Sequence, residues 1–242
     1  MATGPQRDYF GRSQMPAGAR AAELDVGLRA YMQRVFGLMG LGTAITGLVA
    51  FFTANSPAML QVLYGTPLRY VIFLAPLAFV LVLSFGIQRM RASTAQLVFW
   101  LFAGVMGLSL ASIFLVYAGQ SIVTTFFVSS ATFFGMALYG YTTKRDLTGW
   151  GSFLFMGLIG LLIASLVGLF VQSSALQFAI SVIGVLIFTG LTAYDTQKIK
   201  EMYYAGDDTE TGGKKAVMGA LRLYLDFINL FLYLLRFIGD RR

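Results

Sequence analysis

Polar and apolar positions along this chain form blocks: long uncharged stretches separated by short charged ones. Val35 to Ala54 carries no charge. At 1.5 Å per residue, about 20 residues cross a hydrocarbon core of about 30 Å, so this block is a first span. The Asn55-Ser56-Pro57 turn closes it. A second span runs from about 68 to 88, where Arg89 and Arg91 end it. Ala92 to Thr143 is uncharged throughout. As one helix it would be roughly 78 Å long, so it must fold back. Gly119-Gln120-Ser121 is the turn signal near its middle, which gives spans of about 96–118 and 121–142. Leu147 to Tyr194 is too long in the same way and divides at Gln172-Ser173-Ser174, into about 149–171 and 175–197. A polar loop from Lys198 to Lys215 leads to a last span of about 217–238. The pattern predicts an all-α integral membrane protein, a seven-transmembrane-helix bundle over residues 26–242.

Residues 1–25 are polar and lack the apolar stretch of about 7–15 residues that a secretory signal needs. They read as a disordered cytoplasmic tail, and about Val26–Arg34 as a short amphipathic lead-in on the membrane surface. Loop charge orients the bundle. Arg29, Arg34, Arg89, Arg91, Lys144, Arg145, Lys198, Lys200, Lys214 and Lys215 fall on one side of a seven-span arrangement, and only Arg69 lies opposite before the C-terminus. Basic loops stay in the cytoplasm, so the N-terminus is expected there. Arg236, Arg241 and Arg242 are discordant with an external C-terminus, and six spans with a re-entrant last segment would remove the conflict. Gly160, Ala164 and Gly168 recur at the spacing that lets helices approach closely in lipid.

Composition narrows the chemistry. Charged residues make up 12% of the chain, against about 25% in soluble domains. The net charge of +7 sits in connections between spans, so it does not point to nucleic acid. Cysteine and histidine are both absent. There is thus no disulfide, no thiolate metal site and no imidazole switch, and any pH response must come from carboxylates, the α-amino group or tyrosine. No nucleotide, zinc-hydrolase or nucleophile motif is present. An intramembrane aspartyl protease would place one aspartate in a Gly-x-Gly-Asp setting, whereas the contexts here are Ala193-Tyr194-Asp195 and Tyr224-Leu225-Asp226. Neither an enzyme nor a resident cofactor is expected.

Of 11 acidic residues, only Asp195 and Asp226 lie in apolar runs. A charge inside a span costs on the order of 2.5–3.5 kcal/mol, and such residues usually mark pathways or relays. Asp195 ends the sixth run. Asp226 lies roughly 13 Å into the seventh by helical rise. If the sixth helix continues through Lys200, a hairpin of the two could set the carboxylates against each other. Two carboxyl groups at close range cannot both ionise freely and can share a proton. Deprotonated, they offer the hard oxygens that Ca²⁺ prefers. Protonated, or latched by an arginine, the pair would close. A plainer reading also stands. Arg222 is four residues before Asp226 and Lys198 three after Asp195, so each acid could be neutralised on its own helix face. Asn229, one turn beyond Asp226, could support the pair or hydrogen-bond another helix. Gly206-Asp207-Asp208 is too short for a calcium loop and reads as solvated.

These residues carry a resemblance. Ala-Tyr-Asp195-Thr-Gln-Lys-Ile, followed by Leu-Tyr-Leu-Asp226-Phe-Ile-Asn-Leu-Phe-Leu-Tyr-Leu-Leu-Arg-Phe-Ile-Gly, is similar to the Bax inhibitor-1 (transmembrane Bax inhibitor motif) family, and the short basic loops resemble a bacterial member. The likeness covers nearly all of residues 30–240. It implies a seven-helix bundle with the last helix central, enclosed by the other six. It also implies a pH-sensitive calcium leak gated near the cytoplasm, with Asp195 and Asp226 as the di-aspartyl sensor and Arg89 as the arginine that latches it. Some relatives carry a glutamate in the middle of the second span, and residues 70–87 here hold no acid. The expectation is a pH-sensitive cation (Ca²⁺) leak channel in a bacterial inner membrane, its partners lipid, Ca²⁺ and protons. The alternatives are a non-conducting regulator that binds other membrane proteins, such as a quality-control protease, and a proton-coupled transporter.

Overall fold

The computed structural model describes residues 17–168, 170–171 and 173–242. The tail expected over 1–25 lies mostly outside them. Helix α1 spans Ala17–Ala54, so it begins inside the expected tail and runs unbroken into the first span. The lead-in at 26–34 is therefore part of one long helix, not a separate surface element.

The remaining elements are α2 (Pro57–Tyr64), α3 (Leu68–Gly86) with a 3-10 turn at Ile87–Arg89, α4 (Ala92–Leu110), α5 (Ile113–Val116), α6 (Gly119–Thr142), α7 (Thr148–Val167), α8 (Ser174–Glu201) and α9 (Thr209–Ile238). Among the described residues, seven helices are long and apolar enough to cross a bilayer. The re-entrant alternative is not seen: α9 is a continuous helix of 30 residues.

Local chemistry sets the breaks. Ser56 caps α2 and Pro57 opens it, where a missing N–H costs nothing. Pro76 lies inside α3 and cannot donate to the Ile72 carbonyl four residues earlier. The buried Ser109 hydroxyl of α4 donates to that carbonyl instead, at 2.6 Å, so the defect becomes a contact between helices. The division between α4 and α5 has a similar origin. The Tyr64 hydroxyl accepts from the Ser112 N–H at 3.1 Å and donates to the Leu108 carbonyl. It inserts where a helical bond from Ser112 to Leu108 would lie, and an inserted group of this kind breaks a helix.

The helices bury themselves unequally. In the most apolar window of α9, 67% of residues are buried, against 17–39% in the other six spans. Its substantial neighbours are α1, α4, α6 and α8, four of the six that the resemblance places around it. Small residues allow the approach: a Cβ at Gly219 would press on Ile199 of α8 and Val35 of α1. The row Gly160, Ala164 and Gly168 is not where helices meet most closely, because a Cβ at Gly160 would meet open space. Gly140 of α6, against the Ala193 backbone of α8, is such a point.

Candidate functional site: an acidic pair between α8 and α9

Asp195 and Asp226 face each other across the α8–α9 hairpin, within hydrogen-bonding reach. Helix α8 does continue past Asp195, to Glu201, and this brings the first carboxylate to the depth of the second. Asp226 is only 4% exposed, and its Oδ2 has no hydrogen-bond partner. The Asp195 side chain is 17% exposed, which puts it on the outer side of the pair.

One cation stands beside them. Arg222 Nη1 lies 4.0 Å from Asp195 Oδ1. Helical spacing allowed Arg222 to neutralise Asp226 on its own helix; the ion pair instead crosses to α8. Its side chain is 47% exposed, so water screens this contact and weakens it. Lys198 turns away from Asp195: its Nζ pairs with Glu201 at 2.7 Å and donates to the Thr148 hydroxyl at 2.7 Å. Arg89 is exposed in the turn after α3 and forms no ion pair with either carboxylate among the described residues, so in this conformation the cation at the pair is Arg222. The Asn229 amide donates to the Leu225 carbonyl of its own helix at 2.8 Å, so that proton does not bond another helix.

Two features were not legible from spacing. The buried Gln197 accepts from the Leu147 N–H and donates to the Arg145 carbonyl, each at 2.8 Å. It fastens the α6–α7 loop to α8 two residues from Asp195. A Gln197→Leu substitution strands the buried Leu147 N–H, and an unsatisfied buried group costs about 1–3 kcal/mol. A lowered thermal midpoint in detergent is expected, and an unchanged one would show that the loop is held elsewhere. The second feature is Tyr224, fully buried two residues before Asp226. Its hydroxyl bonds to the Thr46 hydroxyl at 2.7 Å, and Phe99 and Phe102 meet its ring edge-on at 5.7 and 5.2 Å. This aromatic layer joins α9 to α1 and α4 beside the pair. The available signal was a polar residue, Thr46, inside an apolar run.

Two carboxylates supply about four of the roughly 6–8 oxygens that Ca²⁺ takes. No group of three or more acidic, cysteine or histidine residues occurs among the described residues. Two other acids can be set aside as pH sensors near neutrality. Asp146 and Asp208 are held below the usual carboxylate range, chiefly by hydrogen bonds from Thr148 and Thr211. Both stay charged well below pH 6, so the helix cap that Asp208 provides is lost only as pH falls through its lowered value.

Seven long apolar helices among the described residues define an α-helical integral membrane protein. The profile of a known family, described as inhibitor of apoptosis-promoting Bax1, matches residues 28–242. The chain belongs to that family, the Bax inhibitor-1 family. It is 47% identical over 238 residues to inner membrane protein YbhL of Escherichia coli K12, covering 97% of this chain and 100% of that one. Uncharacterized protein RP147 of Rickettsia prowazekii is 51% identical over 218 residues, 90% of this chain and 92% of the relative. An uncharacterized membrane protein of Streptococcus pyogenes, SpyM3_0260, is 38% identical over 221 residues, 89% and 94% of the two chains.

Proposed function

We propose that this protein is a pH-sensitive cation leak channel, with Ca²⁺ the favoured ion and the Asp195–Asp226 pair as its gate. The observation that carries the reading is the buried Asp226 carboxylate, facing a second carboxylate across a helix hairpin, with no N–H or hydroxyl donor on its Oδ2 among the described residues. Such a group is costly in a bilayer; a cation passing the pair would offset that cost, and a proton would remove it. With the basic loops in the cytoplasm, the pair lies in the cytoplasmic half of a bacterial inner membrane and the N-terminus is cytoplasmic. Arg222 competes with the cation for Asp195. The relatives named inner membrane or membrane protein agree with the location assigned here.

The test is flux. Liposomes carrying the purified protein should take up Ca²⁺ above protein-free liposomes between about pH 6 and 8. Folded protein with no flux at any pH would reject the channel and favour a non-conducting regulator that binds other membrane proteins. Saturable counter-flow of an organic solute would favour a proton-coupled transporter.

A further inference from the structure

A cavity among the described residues runs from the end of the bundle that holds Asn55 and Arg242 as far as Thr46 and Phe227, the neighbour of Asp226. It measures about 610 Å³ and is lined by α1, the α4–α5 region, the start of α6 and α9. Such a volume is typical of sites for small ligands, about 300–1,000 Å³. Its walls include Ala50, Ile122, Phe227, Ile228 and Phe231. The polar groups in the wall are already used: the Thr43 hydroxyl donates to the Met39 carbonyl, and the Thr46 hydroxyl is shared among Gly42, Ala103 and Tyr224. A buried water needs about 2–4 polar partners, and this chamber offers few. An ion would find less.

Three observations fit one occupant. Along α1 the cavity reaches from Asn55 to Thr43, about 18 Å by helical rise, close to the ~15 Å of one bilayer leaflet. Near its inner end the wall includes Thr46, bonded to the buried Tyr224. At the other end the C-terminal residue Arg242, exposed, is the charged residue of the lining. The tail is held there: the Arg242 N–H donates to the Val116 carbonyl at 2.9 Å, the Ala118 N–H donates to the Asp240 carbonyl at 3.0 Å, and Arg241 lies over the Tyr117 ring. An apolar slot about one leaflet deep, with Arg242 at its mouth, matches a lipid tail and an anionic headgroup. An arginine can hold a phosphate by paired, charge-assisted hydrogen bonds.

We infer that this cavity binds one acyl chain of an anionic phospholipid, with the phosphate at Arg242. The proposal is independent of ion flux. It is tested by photo-crosslinking the reconstituted full-length protein with phosphatidylglycerol or phosphatidylcholine probes carrying a diazirine near the tail end, and mapping the adducts by mass spectrometry. Adducts are expected on the peptides holding Ile122 and Ile228, several-fold stronger with the anionic probe. Gly47 lines the cavity, and a Cβ there meets nothing within 4 Å, so Gly47→Phe fills the slot without a backbone clash. It should reduce these adducts at least several-fold while leaving labelling of the lipid-facing α7 unchanged. Arg242→Gln should abolish the preference for the anionic probe. Cavity adducts that persist in Gly47→Phe, or that never form while α7 is labelled, would overturn the site. Equal labelling by the two probes would overturn the headgroup assignment.

Discussion

Asp226→Asn protein in liposomes should show cation flux that no longer changes between pH 6 and 8. In the unsubstituted protein, flux is expected to rise with pH as the pair loses its shared proton and presents two carboxylates to the ion. Asparagine keeps the shape and a carbonyl oxygen but removes both the proton and the charge, so the response should flatten, with Asp195→Asn and the double substitution behaving alike. Because the two groups act as one titrating unit, the single substitutions should each cost nearly as much as the pair. An unchanged pH profile in folded double-substituted protein would remove the pair from the mechanism. A flux that falls as pH rises would make release of Arg222 from Asp195 the controlling event. Asp146 and Asp208 cannot supply a response in this window, because both remain charged through it.

Gly140→Val should give little or no folded protein. A Cβ at position 140 would lie 2.9 Å from the carbonyl carbon and Cα of Ala193, and closer still to its oxygen. The obstacle is backbone, so no side-chain rotation relieves it, and α6 must move off α8. Overpacking costs typically 1–3 kcal/mol where side chains can yield, and more is expected here. The displaced segment of α8 ends two residues before Asp195, so any protein that does fold should also have a disturbed pair. Gly135→Ala on the same helix is the control, because a Cβ there meets nothing within 4 Å and alanine is the better helix former by about 1 kcal/mol. It should fold at least as well as the parent in size-exclusion chromatography and thermal melts. A monodisperse, equally stable Gly140→Val protein would show that the α6–α8 contact is looser than it stands here.

Much of the fold follows from the one-dimensional pattern for a simple reason. In a bilayer every backbone polar group must be satisfied within its own segment, so an uncharged run of sufficient length has one outcome. That is why the seven spans and the folding back of Ala92–Thr143 could be read directly. Where the reading failed, the decisive interaction came from another helix. The amphipathic stretch 26–34 is part of α1, packed at Tyr31 and Met32 into the common core, and no local signal separates that from a surface helix. Gly160, Ala164 and Gly168 have the spacing of a contact row, but spacing does not say which face another helix covers.

The acidic pair divides in the same way. That Asp195 and Asp226 stand apart from the other acids was determined by the sequence alone, because only they interrupt apolar runs. That they meet was decided by the α8–α9 hairpin, which depends on how far α8 continues and on the rotational phase of two helices. Partner choice was also tertiary. Spacing offered Lys198 to Asp195 and Arg222 to Asp226, yet Lys198 is taken by Glu201 and Thr148, and Arg222 reaches across to Asp195. A long flexible cation can reach several carboxylates from one position. Packing settles which it meets, and the sequence carries no term for that.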